Sequence, residues 1–225
     1  MQIKAITFDV GGTLIEPWPS VGHVYAEVAA RRGLKIFSAE QLNARFKAAW
    51  GARKNFDHSR QGWAELVDEV FTHPAIRLPS ETFFDELYEA FARPEAWHVF
   101  ADVTPTLEAL TARGLRLGVI SNWDERLRRL LRTLKLDNYF ATLTISCEVG
   151  FPKPSRAIFQ QTAAALDLPP GAILHIGDSP EMDVAGAKAA GFQALQIHRG
   201  ANPGDGKLNS LAELPAKIEL LTPGD

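Results

Sequence analysis

Residues 172–178 read Ala172-Ile173-Leu174-His175-Ile176-Gly177-Asp178, an apolar run that ends on a glycine and an acid. The run has the length of a buried strand and is bounded by a turn signal. A helical pattern, Met182–Ala190, follows it, and then a second strand, Phe192–Ile197. Strand, helix and strand in that order imply a parallel β-α-β unit. The same alternation extends upstream. Strand Leu115–Ile120 ends at Ser121-Asn122 and lies between helices Thr104–Arg113 and Asp124–Leu134. A short apolar stretch, Leu143–Ile145, runs toward Gly150-Phe151-Pro152-Lys153-Pro154, and helix Arg156–Leu166 leads back to the opening run. The first ten residues form one more buried strand, with Ile3, Ala5, Ile6 and Phe8 leading into Asp9 and the turn Gly11-Gly12-Thr13. The expected fold class is therefore α/β, a doubly wound, Rossmann-like parallel sheet.

The stretch between the first strand and the rest differs in kind. From Glu16 to about Phe100 no strand is expected, only helices. Val21, Val24, Tyr25 and Val28 fall on one helical face, which Gly33 ends. Ser38 can cap a helix carrying Leu42, Phe46 and Ala49. Trp63, Leu66, Val67 and Val70 make a third stripe, and Phe83, Phe84, Leu87 and Phe91 a fourth. The expected division is a core of residues 1–15 plus 101–225 and an all-helical insertion of residues 16–100 after the first strand. The loop His198–Asn209, with three glycines and a proline, is expected to be flexible.

Composition narrows the function. The chain has 225 residues, 24 basic against 27 acidic for a net charge of −3, and is 46% hydrophobic. Such a chain can bury a substantial core and is too apolar for a disordered one. The single cysteine, Cys147, excludes a disulfide framework and a multi-cysteine zinc site, and suits a reducing compartment. The segment Arg126–Lys135 is basic, but Leu127, Leu130, Leu131 and Leu134 form a core-facing stripe, so its charges read as the solvated side of a helix. No nucleic-acid partner is expected. The apolar stretch Ala5–Phe8 stops at Asp9, too short for a signal peptide, and no run approaches a membrane span. The expectation is a cytoplasmic protein, monomeric or weakly dimeric, acting on a small molecule.

In doubly wound sheets ligands bind beyond the carboxyl ends of the strands. Asp9, Ser121-Asn122 and Gly177-Asp178 all follow strands directly, and Lys153 follows the weaker one. Each has an ordinary reading alone, as a helix cap or a loop residue. Phe8-Asp9-Val10-Gly11-Gly12-Thr13-Leu14, Ile120-Ser121-Asn122, Lys153-Pro154 and Gly177-Asp178-Ser179-Pro180-Glu181-Met182-Asp183 together resemble the four ordered motifs of the haloacid dehalogenase-like hydrolase superfamily. The helical insertion is similar to the cap of its first subclass.

The resemblance implies that Asp9 attacks phosphorus and forms a phospho-aspartate, which water hydrolyses. It implies Mg²⁺ as cofactor, held by Asp9, the Gly11 carbonyl and Asp178, with Asp183 holding a metal-bound water or orienting Lys153. Lys153 adds positive charge beside Asp9. Ser121, Asn122 and Gly12 are the expected phosphate-binding residues, and a small phosphorylated metabolite is the expected substrate. Glu181 reads instead as a first-turn acid of its helix. In the cap, Trp18, His23, Arg53, Lys54, His58 and Trp63 are the side chains most able to touch a substrate, though each also reads as packing or a solvated charge.

One position departs from the family pattern. Two residues after the nucleophile the usual phosphatase has a second aspartate, the general acid and base, and here that position is Gly11. Losing such a group costs about 10² to 10⁴ in rate. Three readings remain. One is a phosphatase for good leaving groups, or one with an acid from elsewhere, His23 and Asp124 being candidates. The second is a dehalogenase, whose departing halide needs no proton. The third is a weak relative that binds or scaffolds. A metal-independent dehalogenase has no use for Asp178, which favours the phosphatase. The paired glycines have a geometric reading too, since they permit a tight loop and close approach to a ligand.

Overall fold

The computed structural model describes residues 2–53, 56–200 and 207–221. They form two compact units, one of Met1–Ile15 with Val99–Asp225, the other Glu16–His98. The first unit is built on β1 (Ala5–Phe8), whose four residues are all buried. The chain leaves this unit in β2 (Ile15–Pro17) and forms α1 (Val21–Arg31), α2 (Ala39–Gly51), α3 (Arg60–Phe71) and α4 (Phe84–Ala90) before returning in β3 (Trp97–Val99). β2 and β3 pair with each other. No strand was expected between residues 16 and 100, because three-residue strands are too short to show a two-residue period.

The helices of the second unit start where local chemistry allows. Ser20, Ser38 and Ser59 each accept a backbone N–H from the first turn of the helix they precede, and Ser38 forms a reciprocal capping box with Gln41. Tyr25, Val28, Leu42, Leu66, Val70 and Leu87 turn inward to a common core.

Back in the first unit come α5 (Val103–Ala112), β4 (Arg116–Ser121), α6 (Arg126–Thr133), β5 (Thr142–Ile145) and the short α7 (Ser146–Val149). α8 (Arg156–Ala165), β6 (Ile173–Gly177), α9 (Gly186–Ala189), β7 (Gln193–Gln196) and α10 (Leu214–Leu221) complete it. The sheet order is β5-β4-β1-β6-β7, every neighbouring pair parallel. β1 thus stands at the centre, with the chain winding outward first through β4 and later through β6. That is the switch point at which a doubly wound sheet opens a crevice at its carboxyl edge, and Asp9 is the residue delivered there.

One element differs from expectation and two more lie where the sequence carries no signal. Met182–Ala190 is not one helix: Pro180–Ala185 makes a π-helical turn before α9. α7 is only four residues long, below what a periodic pattern can reveal. α10 carries Pro215, which reads as a breaker but sits in the first turn, where its missing N–H costs no hydrogen bond. Leu211, Leu214 and Ile218 of this terminal region are buried. Of the loop His198–Asn209, residues 201–206 lie outside the described residues. At its near and far ends the N–H of His198 donates to the Leu208 carbonyl and that of Leu208 to the Gln196 carbonyl. No helix among the described residues is long and apolar enough to cross a membrane.

Candidate active site

The loop after β1 winds round one carbonyl. The N–H groups of Thr13, Leu14 and Ile15 all donate to the Val10 oxygen, at 2.8–3.2 Å. This tight turn leaves the preceding residue, Asp9, at the strand end with its backbone N–H on the Ile176 carbonyl of β6 (2.8 Å). Asp9 is buried, and two side chains converge on its Oδ1: the Ser121 hydroxyl at the end of β4 (3.0 Å) and the Lys153 ammonium (2.6 Å). Lys153 is buried and bridges to Asp183 Oδ1, also at 2.6 Å.

Lys153 arrives on a loop, so its position needs a separate explanation. Asn122 supplies it. Its Oδ1 accepts the Lys153 backbone N–H (2.7 Å) and its Nδ2 donates to the Lys153 carbonyl (3.0 Å). The amide expected to meet phosphate is thus used on both ends to tie the Lys153 loop to the end of β4.

Asp183 reaches the cluster because of the π turn. Ser179 caps the turn through its hydroxyl, which accepts the Met182 N–H, while the Ser179 N–H donates to Asp183 Oδ2 (2.9 Å). The carboxylate then lies so close to the Gly177 backbone that a Cβ there would stand 2.1 Å from Asp183 Cγ. Only glycine fits at 177. The sequence motif includes Gly177 without showing this role, and it leaves out His175, which is fully buried in β6 with Nε2 3.1 Å from Asp183 Oδ1. A histidine inside an otherwise apolar strand was the available signal.

The two adjacent glycines separate into different roles. Gly12 has φ +72°, and a Cβ on it would approach Asp178 Oδ2 to 2.7 Å. Its N–H donates to the Ile15 carbonyl (2.8 Å), a bond within the loop. Gly11 has no left-handed φ, and a Cβ there would meet only the Trp123 ring, at an ordinary 3.4 Å. The geometric demand for glycine therefore belongs to position 12. Gly12→Ala is expected to lose stability by about 1–2 kcal/mol from the left-handed backbone alone, measured by urea unfolding, with Asp178 displaced. Gly11→Ala should leave stability nearly unchanged in the same measurement.

Charge in the cluster is unbalanced. One carboxylate oxygen from each of Asp9, Asp178 and Asp183 lies within 4.8 Å of the others. Burial, opposed by Lys153 and reinforced by the Asp183 charge, holds Asp9 above the usual carboxylate range. Asp178 is solvent-exposed, yet local desolvation, with the charges of Asp9 and Asp183, pushes it up to about 7. Burial would also raise Asp183, but Lys153 and the hydrogen bond from His175 outweigh it and hold this group well below the usual range. Lys153 follows the same logic with opposite sign: burial disfavours its charge, yet Asp9 and Asp183 keep it above its ordinary value. Three carboxyl groups share one ammonium. An all-oxygen set with surplus negative charge fits a hard divalent cation such as Mg²⁺.

The remaining candidates have contacts of their own. Asp124 is buried with both oxygens on Arg126, at 2.8 and 2.5 Å, and is committed to that ion pair. In the helical unit His23 Nδ1 is 2.7 Å from the Ser20 hydroxyl, and Arg53 is held by the Ala49 carbonyl and Glu69. His58 and Trp63 belong to an aromatic cluster in which Trp63 stacks on Trp50 at 5.6 Å. Trp18 is exposed beside His98, and Lys54 lies outside the described residues.

The profile of the haloacid dehalogenase-like hydrolases matches residues 3–191. The chain belongs to this family. It is a hydrolase, and comparison with individual relatives agrees. Haloacid dehalogenase-like hydrolase domain-containing protein 3 of Danio rerio is 30% identical over 238 residues, covering 97% of this chain and 98% of the relative. Among solved structures, an HAD phosphatase from Thermococcus onnurineus is 28% identical with a TM-score of 0.71, covering 96% of this chain and 98% of that one. A 2-haloacid dehalogenase from Pseudomonas syringae pv. Tomato DC3000 is 25% identical with a TM-score of 0.69, covering 98% and 100%. Family membership thus leaves phosphorus and carbon chemistry both represented among similar structures, and the choice falls to the site.

Proposed function

We propose that the chain is a Mg²⁺-dependent phosphomonoesterase that works through an aspartyl phosphate on Asp9, on small substrates with good leaving groups. The observation that carries this reading is the surplus of carboxyl groups around Lys153, with the exposed Asp178 drawn up to about 7 by local desolvation and by its acidic neighbours. Displacement at carbon in a haloacid gives no use for that third acid, whereas a phosphate dianion approaching Asp9 requires extra positive charge. A divalent cation held by Asp9, Asp178 and the Gly11 carbonyl, with Asp183 beside them, would supply charge neutralisation between nucleophile and phosphate.

Ser121 and Lys153 both donate to Oδ1 of Asp9. Oδ2 receives neither and is the oxygen proposed to bond to phosphorus as the bond to the leaving oxygen breaks. The Lys153 ammonium, kept protonated by two carboxylates, offers its charge to the phosphoryl oxygens. Water then attacks the phospho-aspartate, releasing phosphate and restoring the carboxylate. Position 11 offers no proton, so the leaving group departs as an anion. The unit Glu16–His98 corresponds, on this reading, to the family's cap.

The test is a leaving-group series with acetyl phosphate, an aryl phosphate and an alkyl phosphate. Turnover should require Mg²⁺, vanish with a chelator, and fall by about 10² to 10⁴ from the aryl to the alkyl ester. Equal rates across the series, or full activity in chelator, would overturn the reading.

A further inference from the structure

His175 is a buried polar residue in the middle of an apolar strand, and nothing in the proposed chemistry has yet used it. It stands in register opposite Thr7 of β1, the two central strands being parallel neighbours. Both residues are fully buried. The Thr7 hydroxyl lies 2.9 Å from Nδ1, and Asp183 Oδ1 lies 3.1 Å from Nε2. The edge of the ring meets Phe159, with centroids 5.4 Å apart.

These contacts determine which nitrogen carries the proton. The Asp183 carboxylate only accepts, so Nε2 must donate; in the neutral ring Nδ1 is then the acceptor and the Thr7 hydroxyl donates to it. Asp183 Oδ1 receives two donors, Lys153 from the crevice side and His175 from inside the sheet, while Oδ2 receives the Ser179 N–H. Lys153 has a long flexible stem and Asp183 sits on an irregular turn. His175 is the one partner of that carboxylate carried by a central strand. An apolar side chain at 175 would leave the buried Thr7 hydroxyl without this partner and take one donor from the buried Asp183 carboxylate, so the site is built around both ring nitrogens.

We propose that His175 is a positioning residue that, by donating from Nε2 to Asp183 Oδ1, fixes the carboxylate which holds the Lys153 ammonium against Asp9. The inference rests on the reading of Asp9 and Lys153 given above. The chain of contacts Thr7–His175–Asp183–Lys153–Asp9 runs from the sheet interior to the nucleophile, and each link is a direct hydrogen bond. Groups that orient the residues around a metal or catalytic centre commonly matter by about 10- to 100-fold when removed.

Two substitutions separate the hydrogen bond from the volume. The amide of glutamine can place its N–H near the position of Nε2, whereas that of asparagine ends near Nδ1 and falls short of Asp183. His175→Gln should retain near wild-type turnover of an aryl phosphate in Mg²⁺. His175→Asn should lose about 10- to 100-fold in kcat with KM little changed, although both variants disturb the same buried site and are expected to lower Tm alike. A parallel reading on the full chain uses ¹⁵N NMR. His175 should carry its proton on Nε2, and the Lys153 Nζ resonance should move in His175→Asn but not in His175→Gln. Equal loss of kcat in both variants in step with Tm, unchanged kcat in His175→Asn, an Nε2 that carries no proton, or an unmoved Lys153 signal would each overturn the proposal. Absence of any Asp9-dependent turnover in the wild type would instead refute the phosphatase reading, and the Lys153 resonance would still decide the role of His175.

Discussion

Asp9→Asn is expected to lower turnover of an aryl phosphate by about 10⁴- to 10⁶-fold, the scale seen when a member of a nucleophilic catalytic unit is removed. The amide has the shape of the carboxylate but not its nucleophilicity, so the loss should fall on kcat. Folding should survive. Lys153 keeps Asp183 at 2.6 Å, and an asparagine oxygen still accepts from Lys153 and from Ser121. The electrostatic side effect has a definite sign. Local desolvation is the first cause of the raised pKa of Asp178 and the Asp9 charge the second. Deleting that charge should let the Asp178 carboxyl ionise at lower pH, a shift visible by ¹³C NMR. The decisive observation is covalent: acid quenching of the wild type during turnover of labelled substrate should trap phosphoprotein, and the variant should trap none. Labelled Asp9→Asn, or wild-type label that maps to another residue, would remove Asp9 from its proposed role.

How far such a site can be read before folding depends on what each residue needs in order to arrive. Asp9 and Asp178 directly follow fully buried strands, and Ser121 ends one that is buried from Leu117 onward, so their meeting at one sheet edge follows from strand order alone. Lys153 and Asp183 reach the same place less directly. Lys153 depends on the Asn122 amide clasping its backbone, and an asparagine after a strand looks the same whether it faces a ligand or a neighbouring loop. Asp183 depends on a π turn, which has no periodic signature of its own, and on the missing side chain of Gly177. His175 was invisible for the opposite reason. In sequence it is one residue of a buried strand, and only the register with Thr7 gives it a partner on one side and Asp183 on the other. The helices and the parallel sheet needed only periodicity, whereas β2, β3 and α7 were too short to have any.

Gly11→Asp is expected to raise turnover of an alkyl phosphate by about 10² to 10⁴, the usual contribution of a positioned general acid. Sequence alone could not say whether a glycine at 11 is required by the backbone. The structure removes that objection: φ is not left-handed, and an added Cβ meets only the Trp123 ring, at 3.4 Å. Acetyl phosphate and aryl phosphates should gain little, because their leaving groups depart without a proton. The informative quantity is therefore the dependence of rate on leaving-group pKa, which should flatten in the variant. A further carboxylate beside Asp9 and Asp178 adds to the surplus charge, so the variant should also need Mg²⁺ more strictly. Its carboxyl must share space with the indole, and the double variant Gly11→Asp/Trp123→Ala distinguishes obstruction from missing chemistry. A gain that appears only in the double variant would assign the low activity on alkyl esters to Trp123 blocking the acid. No gain in either, with folding and Mg²⁺ binding intact, would show that proton supply at position 11 does not limit this enzyme.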